Sequence, residues 1–521
     1  MEPRLDKPVF ILCVATVGLI SISMLVAPAA AGDFLNDIYL IIANEMGIFY
    51  QWLVIASFVF LVWLAMSKHG KHVLGGPDAK SEYSTFSWVG MLFCTGIGAG
   101  LLYWTTIEWA YYLESPPFNL EPGSPMAQEW AATYGMFHWG FPAWSLYGLA
   151  VVTIAYPYYK YKLPYLRLSV SLVGIFGRKF LDSPGSRFVD LLFILALIGG
   201  TGTSLGLGMP MLSSVSAKLF HIDETFTLTM VISGLTVLVF AISVYLGLSK
   251  GIRRLSDANM VLAAVFLIWI LIFGPALFAL ELGTSSLGLM FQELIRMVTW
   301  MDPIVESGFV EDWSIFYWAW WLAYAPFVGI FVTRISRGRS LRALIIGMLG
   351  FGSLGSALYY IVWGNSVMWM DLQGMVAVQE LVSNNMASTA IAEAAGSLMG
   401  QPIPLVLFLV VAFVFIVTTY DSASYCIASA ATRGINPGQH PATWHRVFWA
   451  FAISGLPIAL VIINELRGVQ SVTLIASLPL LVVSVMMMVS LTRSLNAETV
   501  DEEVKEFTAH ESPEPIKAVE L

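Results

Sequence analysis

Runs of about 20 apolar residues recur from one end of this chain to the other, each long enough to cross roughly 30 Å of hydrocarbon. That recurrence leaves few folds open. A segment in lipid must satisfy its own backbone groups, and a helix does so without a neighbour. Twelve such spans are read from the sequence, at about residues 9–30, 48–66, 86–112, 127–158, 187–215, 224–247, 258–282, 313–333, 341–363, 403–431, 443–464 and 470–492. The first has no small-residue cleavage pattern after its apolar core and is read as a retained span. Composition agrees: 57% of the 521 residues are hydrophobic and 12% charged. The three cysteines (Cys13, Cys94, Cys426) lie inside apolar spans, which suggests neither a disulfide framework nor a metal cluster.

With the N-terminus inside, all basic residues except Lys218, Arg296 and Arg467 fall on the inner side, so both termini are expected to be cytoplasmic. Between spans 7 and 8, "SSLGLMFQELIRMVTW" mixes apolar and polar residues at helical spacing and reads as an amphipathic surface helix. The chain is accordingly divided into a short N-terminus (1–8), spans 1–2 (9–85), spans 3–7 (86–282), an external loop (283–312), spans 8–12 (313–492) and an acidic tail (493–521). The tail is rich in Glu and Pro and reads as solvated and largely disordered. The net charge of −9 owes much to loops and tail and says little about partners.

Four stretches inside the spans carry chemistry. Span 8 opens "FYWAWWLAY", where Tyr324 is three or four residues from Trp321 and Trp320 and shares a face with each. Span 4 carries "HWGFPAWSLY", with Trp139, Trp144 and Tyr147 too deep for a headgroup belt, and Pro142 bending the helix. Aromatic packing between helices would explain a lone tryptophan. Two clusters suit a cage for a quaternary ammonium, whose spread charge is held by ring faces at about 0.5–2 kcal/mol per ring.

Span 3 contains "CTGIGAGLLYW". Gly96 and Gly100 are spaced for close helix packing, but alternate glycines also loosen a helix, exposing backbone groups to a ligand or ion. Span 10 contains "VTTYDSAS", with adjacent hydroxyls at Thr418 and Thr419 and an intramembrane carboxylate at Asp421. Threonines in helices commonly bond back to their own backbone, while a sodium ion wants several hard oxygens. His138, beside the aromatic cluster, reads as hydrogen-bonded core.

Together, "GIGAG", "HWGFPAW", "FYWAWW…RISRGRS" and "VTTYDSAS", in this order and on these spans, resemble the betaine/choline/carnitine transporter family over roughly residues 8–492. The resemblance implies an all-α polytopic membrane protein of twelve transmembrane helices. Spans 3–7 and 8–12 would form inverted five-helix repeats of the LeuT type, in a homotrimer in a bacterial cytoplasmic (inner) membrane. It implies a non-enzyme, free of cofactors and nucleic acid, that binds a small methylated onium and uses sodium as coupling ion. By motif the substrate would meet Trp139, Trp144, Tyr147, Phe316, Trp318, Trp320, Trp321 and Tyr324, with Gly98, Gly100 and Tyr111 lining the same pocket. Sodium would take the hydroxyls of Thr418 and Thr419 and the carbonyls of Cys94, Ile97 and Phe415. A second ion site would fall on Thr201 and Phe327, although Leu197 stands where the betaine branch has another threonine.

Departures from the family pattern narrow the function. Choline carriers tend to place an Asp where Gly100 stands, so its absence favours a zwitterion: glycine betaine, dimethylsulfoniopropionate or carnitine. Ion-independent carnitine exchangers substitute an Arg and a Met for the cation; the matching residues here are Met260 and Val328. The expected function is sodium-coupled import of such a zwitterion by alternating access. The alternatives are an ion-independent exchanger, or a proton-coupled symporter using Asp421, Glu108 and His138. The short termini argue against strong osmotic gating. A membrane enzyme or redox subunit would want paired histidines on facing helices, and that pattern is missing from the sequence.

Overall fold

In a computed structural model the protein is almost wholly helical, and the structure describes residues 3–26, 28–246, 252–435, 439–463 and 466–510. Residues 511–521 of the acidic tail, the link 247–251 between spans 6 and 7, and the last position of span 11 lie outside the described residues. Among the described residues eight helices are long and apolar enough to cross a membrane, or nine with a bent pair in span 3. The bent pair is Thr85–Gly96 and Gly100–Glu114, at 58° to one another. Helices also stand at the other three expected positions: Lys7–Val26, the pair Pro125–His138 and Phe141–Lys160, and Thr443–Ile463.

Several boundaries differ from the sequence reading. Span 4 is two helices, not one bent at Pro142: the chain leaves the helix at Trp139–Gly140, and Pro142 sits in the first turn of the second half. Proline is favoured there, since the first turn has no helical partner for its missing N–H. Span 7 ends at Phe273 before Gly274–Pro275, so the amphipathic helix begins earlier than expected, at Ala276, and runs to Gln292. Span 2 lengthens to Pro28–Met66, and span 9 continues to Leu372 through two π-helical turns (Gly347–Gly352 and Tyr360–Gly364). The tail expected to be disordered remains helical to His510, the end of Leu466–His510.

Span 8, Val310–Ile335, is the axis of the molecule. Its apolar window is 100% buried, against 28% for Arg253–Phe273 of span 7, which faces outward. The chain can hold four tryptophans here, Trp313, Trp318, Trp320 and Trp321, because span 8 is sheltered from lipid beyond its first turn. It packs most extensively on the second half of span 4, and Gly329 makes the approach close: a Cβ there would lie 3.0 Å from Ala150 Cβ and 2.9 Å from Ile154 Cδ1. Small residues at such crossings let backbones approach, which replaces the hydrophobic drive that lipid removes.

The face carrying the N-terminus is stapled by ions. Strand Arg4–Leu5 pairs antiparallel with Thr432–Arg433, just beyond span 10. This sets Asp6 against Arg433 (2.6 Å), Arg187 (3.6 Å) and the fully buried Arg167 (3.6 Å). Arg167 also pairs with Asp190 at 3.0 Å, whose carboxylate accepts two bonds from Ser169 at 2.9 Å each. Removing one member of a buried ionic network strands its partners, at about 3–5 kcal/mol. Arg167→Ala is therefore expected to lower the unfolding free energy of the purified protein by that amount, read from denaturant unfolding. An unchanged midpoint would show that the network contributes nothing.

Candidate substrate and ion site

The site begins with a failure of helix. In span 3 the chain leaves helical geometry at Ile97–Ala99, and Gly98 adopts φ +59°, in the left-handed region that favours glycine. The break frees backbone groups at mid-depth, where lipid offers them no partner. Two are taken up by other spans. Tyr147 Oη donates to the Gly96 carbonyl at 2.8 Å, and Thr419 Oγ1 donates to the Cys94 carbonyl at 3.1 Å. The glycines also make room. A Cβ would lie 3.0 Å from Trp144 Cη2 at Gly96, 2.8 Å from Thr419 Oγ1 at Gly98 and 3.2 Å from Trp139 Cη2 at Gly100.

Rings from spans 4 and 8 close around this break. Trp320 and Trp321 stack at 5.1 Å and 7°, and Trp139 meets Trp321 edge-on at 4.7 Å. Phe316 stacks on Trp320 at 5.5 Å. Tyr147 meets Trp321 at 6.0 Å, and Trp144 stands perpendicular to Tyr147 at 5.5 Å. All six are buried. Trp321 Nε1 donates to the His138 carbonyl at 3.0 Å, but the indole N–H groups of Trp144 and Trp320 are buried without a partner. An unsatisfied buried donor costs about 1–3 kcal/mol, so each calls for an acceptor.

Other residues of the motifs stand elsewhere. Trp318, two positions from Trp320, points to another face of its helix. Its Nε1 donates to Gln51 of span 2 at 2.7 Å and its ring meets Phe137 at 5.7 Å. Tyr111 packs on Trp313 at 5.3 Å and Trp104 at 6.3 Å, outward of the break. Tyr324 reaches span 5, where its hydroxyl meets Ser204 Oγ at 2.7 Å and its ring covers Gly200. The sequence reading passed over Tyr317, which stacks on Trp321 at 5.6 Å. Its spacing of four from Trp321 was the available signal.

Of the oxygens expected around sodium, the structure joins Thr419 and Cys94. Thr418 Oγ1 instead donates within its own helix, to Val414 (2.8 Å) and Phe415 (3.1 Å). Ile97 gives its N–H to Phe93 at 3.1 Å. Thr419 alone sets a hard oxygen against the opened backbone, chemistry that suits a hard cation and not a soft transition metal. Among the described residues no group of three or more His, Cys, Asp or Glu could hold a metal. The residues expected at a second ion site are engaged with their neighbours. Thr201 Oγ1 bonds back to Leu197 at 2.7 Å and its carbonyl accepts from Tyr420, while the Phe327 carbonyl faces Cys426 Sγ at 3.8 Å.

A ring-lined site sealed inside a polytopic helical protein, beside a broken span, defines a membrane carrier. Residues 8–500 match the BCCT, betaine/carnitine/choline family transporters, and the chain belongs to that family. It is 33% identical over 428 residues to a carnitine transporter of Acinetobacter baumannii (strain ATCC 19606), covering 82% of this chain and 77% of the relative. A solved structure of a Na+-coupled sialic acid symporter, substrate-bound and outward-open, aligns with TM-score 0.43 and 12% identity over 81% of this chain and 79% of that chain. As a member of a transporter family the protein is a carrier and not an enzyme.

Gly98→Ala is expected to strain the backbone by about 1–2 kcal/mol and to push Thr419 off the Cys94 carbonyl. Solute uptake by reconstituted protein should fall about tenfold or more. Gly123→Ala is the control: Gly123 has φ +72° but nothing within 4 Å of its Cβ position, so uptake should be unchanged. Equal losses in the two variants would remove the Thr419 contact from the argument.

Proposed function

We propose that this carrier imports a small methylated onium zwitterion, of the glycine betaine, carnitine or dimethylsulfoniopropionate class, coupled to sodium. One observation carries the reading: the buried rings of spans 4 and 8 close on the break in span 3, and two of those rings keep indole N–H groups without a partner. Ring faces attract a methylated cation without needing hydrogen-bond donors from it. A carboxylate, in turn, accepts from N–H groups. Trp144 and Trp320 offer two, and the helix Gly100–Glu114 begins at the break with the positive end of its dipole. No acidic residue stands at Gly100 to favour a bare cation, and the relative from Acinetobacter baumannii is a carnitine transporter.

Sodium would sit where span 10 meets span 3, on Thr418 and Thr419 and the carbonyls of Cys94, Ile97 and Phe415; Thr418 must turn its hydroxyl out of its own helix to join. One charge moving down about 100 mV supplies about 2.3 kcal/mol, roughly fifty-fold accumulation, before any sodium gradient is added. Trimeric assembly in a bacterial inner membrane, twelve spans in two inverted repeats, and a cytoplasmic N-terminal face complete the reading. The basic residues on that face support its orientation.

A thermal-shift and binding screen of glycine betaine, L-carnitine, dimethylsulfoniopropionate and choline, with and without sodium, tests the substrate class. Zwitterions should bind more tightly than choline, and only with help from sodium. Trp320→Leu and Trp321→Leu should each weaken binding about tenfold, since leucine restores volume but not the ring face. Wild-type affinity in Trp321→Leu would overturn the cage.

Coupling has its own test. In proteoliposomes, concentrative uptake should vanish when sodium is replaced by potassium. Thr419→Ala should raise the sodium concentration for half-maximal uptake by about tenfold, the cost of one lost ligand of roughly 1.4 kcal/mol. Accumulation that persists without sodium would overturn the ion assignment and leave the onium reading standing.

A further inference from the structure

Outward of the cage, on the side away from the termini, lies a buried polar chain that the proposed transport reaction does not use. Glu108, in the second half of span 3, is fully buried. Its carboxylate accepts hydrogen bonds from Tyr112 of the same helix and Tyr360 of span 9. Tyr112 Oη lies 2.8 Å from His138 Nδ1, and His138 Nε2 lies 3.0 Å from Ser314 Oγ at the start of span 8. His138 Nδ1 is 3.6 Å from the carboxylate. Among the described residues no lysine or arginine forms an ion pair with Glu108.

The geometry points to a proton-binding site shared by Glu108 and His138, filled when the carrier closes over its substrate. Each oxygen and nitrogen in the chain has one role when His138 is neutral: Ser314 donates to Nε2, Nδ1–H donates to Tyr112, and the two phenols donate to Glu108. That arrangement leaves one negative charge buried at membrane depth with no cation beside it, which is costly. One added proton removes the cost. His138 then donates from both nitrogens, to Tyr112 and to Ser314, and faces the carboxylate as its counter-ion. No atom has to leave its place.

The groups facing this pair are accounted for. From its own helix comes Tyr112; from span 4, His138 and Tyr134, whose ring is 5.3 Å from His138; from span 8, Tyr317, 4.9 Å from His138; from span 9, Tyr360. The other helices packed on Gly100–Glu114 bring Asp371, Tyr359, Glu380, Glu393 and Lys218, with Arg187 and Asp190 at the far end of span 5, while Glu114 of the same helix and Glu129 of span 4 are exposed. Asp371 accepts from Val378 and Gln379, Glu393 pairs with Lys218 at 2.6 Å, and Glu380 is exposed. The proton site is fastened to the cage by backbone: the His138 carbonyl takes the Trp321 indole, and Trp139 is the next residue. Opening the outer side would draw apart spans 3, 4, 8 and 9, separate the pair and admit water to the carboxylate, which then no longer needs the proton.

The test measures binding of L-carnitine and glycine betaine to the purified full chain at saturating sodium, from about pH 5.5 to 8.5. Wild type should lose affinity by up to about tenfold per pH unit once the site empties, and should take up close to one proton per bound solute in weakly buffered solution with a pH indicator. Glu108→Gln keeps the size without the charge, one phenol turning to accept from the amide NH2; it should bind with no pH slope and take up no proton. His138→Gln should lose the slope as well. A folded Glu108→Gln with the wild-type slope, or wild-type binding with no proton uptake at any pH, overturns the proposal. The inference rests on the onium reading only for its probe. If neither solute binds, that reading fails, and the pH dependence of the melting temperature without ligand decides this one: the same dependence in wild type and Glu108→Gln overturns it, and a dependence lost in the variant supports it.

Discussion

Everything in this molecule leans on backbone groups set free where lipid cannot receive them. A helix unwound at mid-membrane is tolerated only when protein or a ligand satisfies what it exposes. Here the second half of span 4 answers with Tyr147 to Gly96, and span 10 answers with Thr419 to Cys94. Those two bonds fix where spans 4 and 10 stand around span 3, and so where the rings and the hydroxyls of the site can be. The break is therefore a defect in one helix and an organising point for three.

Crowding so many large rings around that point demands space, and distant glycines supply it. Gly352, in a π-helical turn of span 9, would place a Cβ 2.2 Å from Trp144, and Gly200 of span 5 would place one 2.7 Å from Tyr324. Packed interiors have few voids larger than a water molecule, so any larger residue at these positions would have to displace an indole or a phenol. The ring cluster is built as much by what span 9 leaves out as by what spans 4 and 8 put in, and Gly200 does the same for Tyr324 on its own face toward span 5. The π turns also answer why span 8 starts where it does: Val310–Ile315 winds wide before the aromatic run and sets the register of Phe316, Trp320 and Trp321.

How much of this was legible depended on whether the signal was local. The apolar runs located the helices, the alternate glycines located the break in span 3, and the two aromatic clusters located rings that meet there, whereas the spacing that grouped Tyr324 with Trp320 and Trp321 did not, since Tyr324 reaches span 5. Motif continuity misled where helix face decided: Trp318 belongs to the same run yet points to Gln51, and Tyr317, just beside it, stacks into the cluster. Pro142 suggested a bend at its own position, but the helix had already ended at Trp139–Gly140. The π turns carry no composition that announces them. Glu108, His138, Ser314 and Tyr360 are scattered over three spans and the entry to a fourth, and only the fold shows that they touch.

Each half of the broken span is tied to the rest of the protein at its own face. Toward the termini, Trp88 Nε1 donates to Ser336 Oγ at 2.9 Å, Glu82 pairs with Arg334 at 3.5 Å and Arg337 at 3.7 Å, and Arg339 lies 4.2 Å over the Trp88 ring. These bind the first half, Thr85–Gly96, to the far end of span 8. On the opposite face Glu108, Tyr112 and His138 bind the second half to spans 4 and 9 and, through Ser314, to the near end of span 8. The two clasps share no residue, and the break at Gly98 lies between them. A carrier must release one side while holding the other. With one clasp on each half of a broken helix, and span 8 running between both, breaking either leaves the other intact. The break thus separates two sets of ties that have no residue in common, one on each half of span 3.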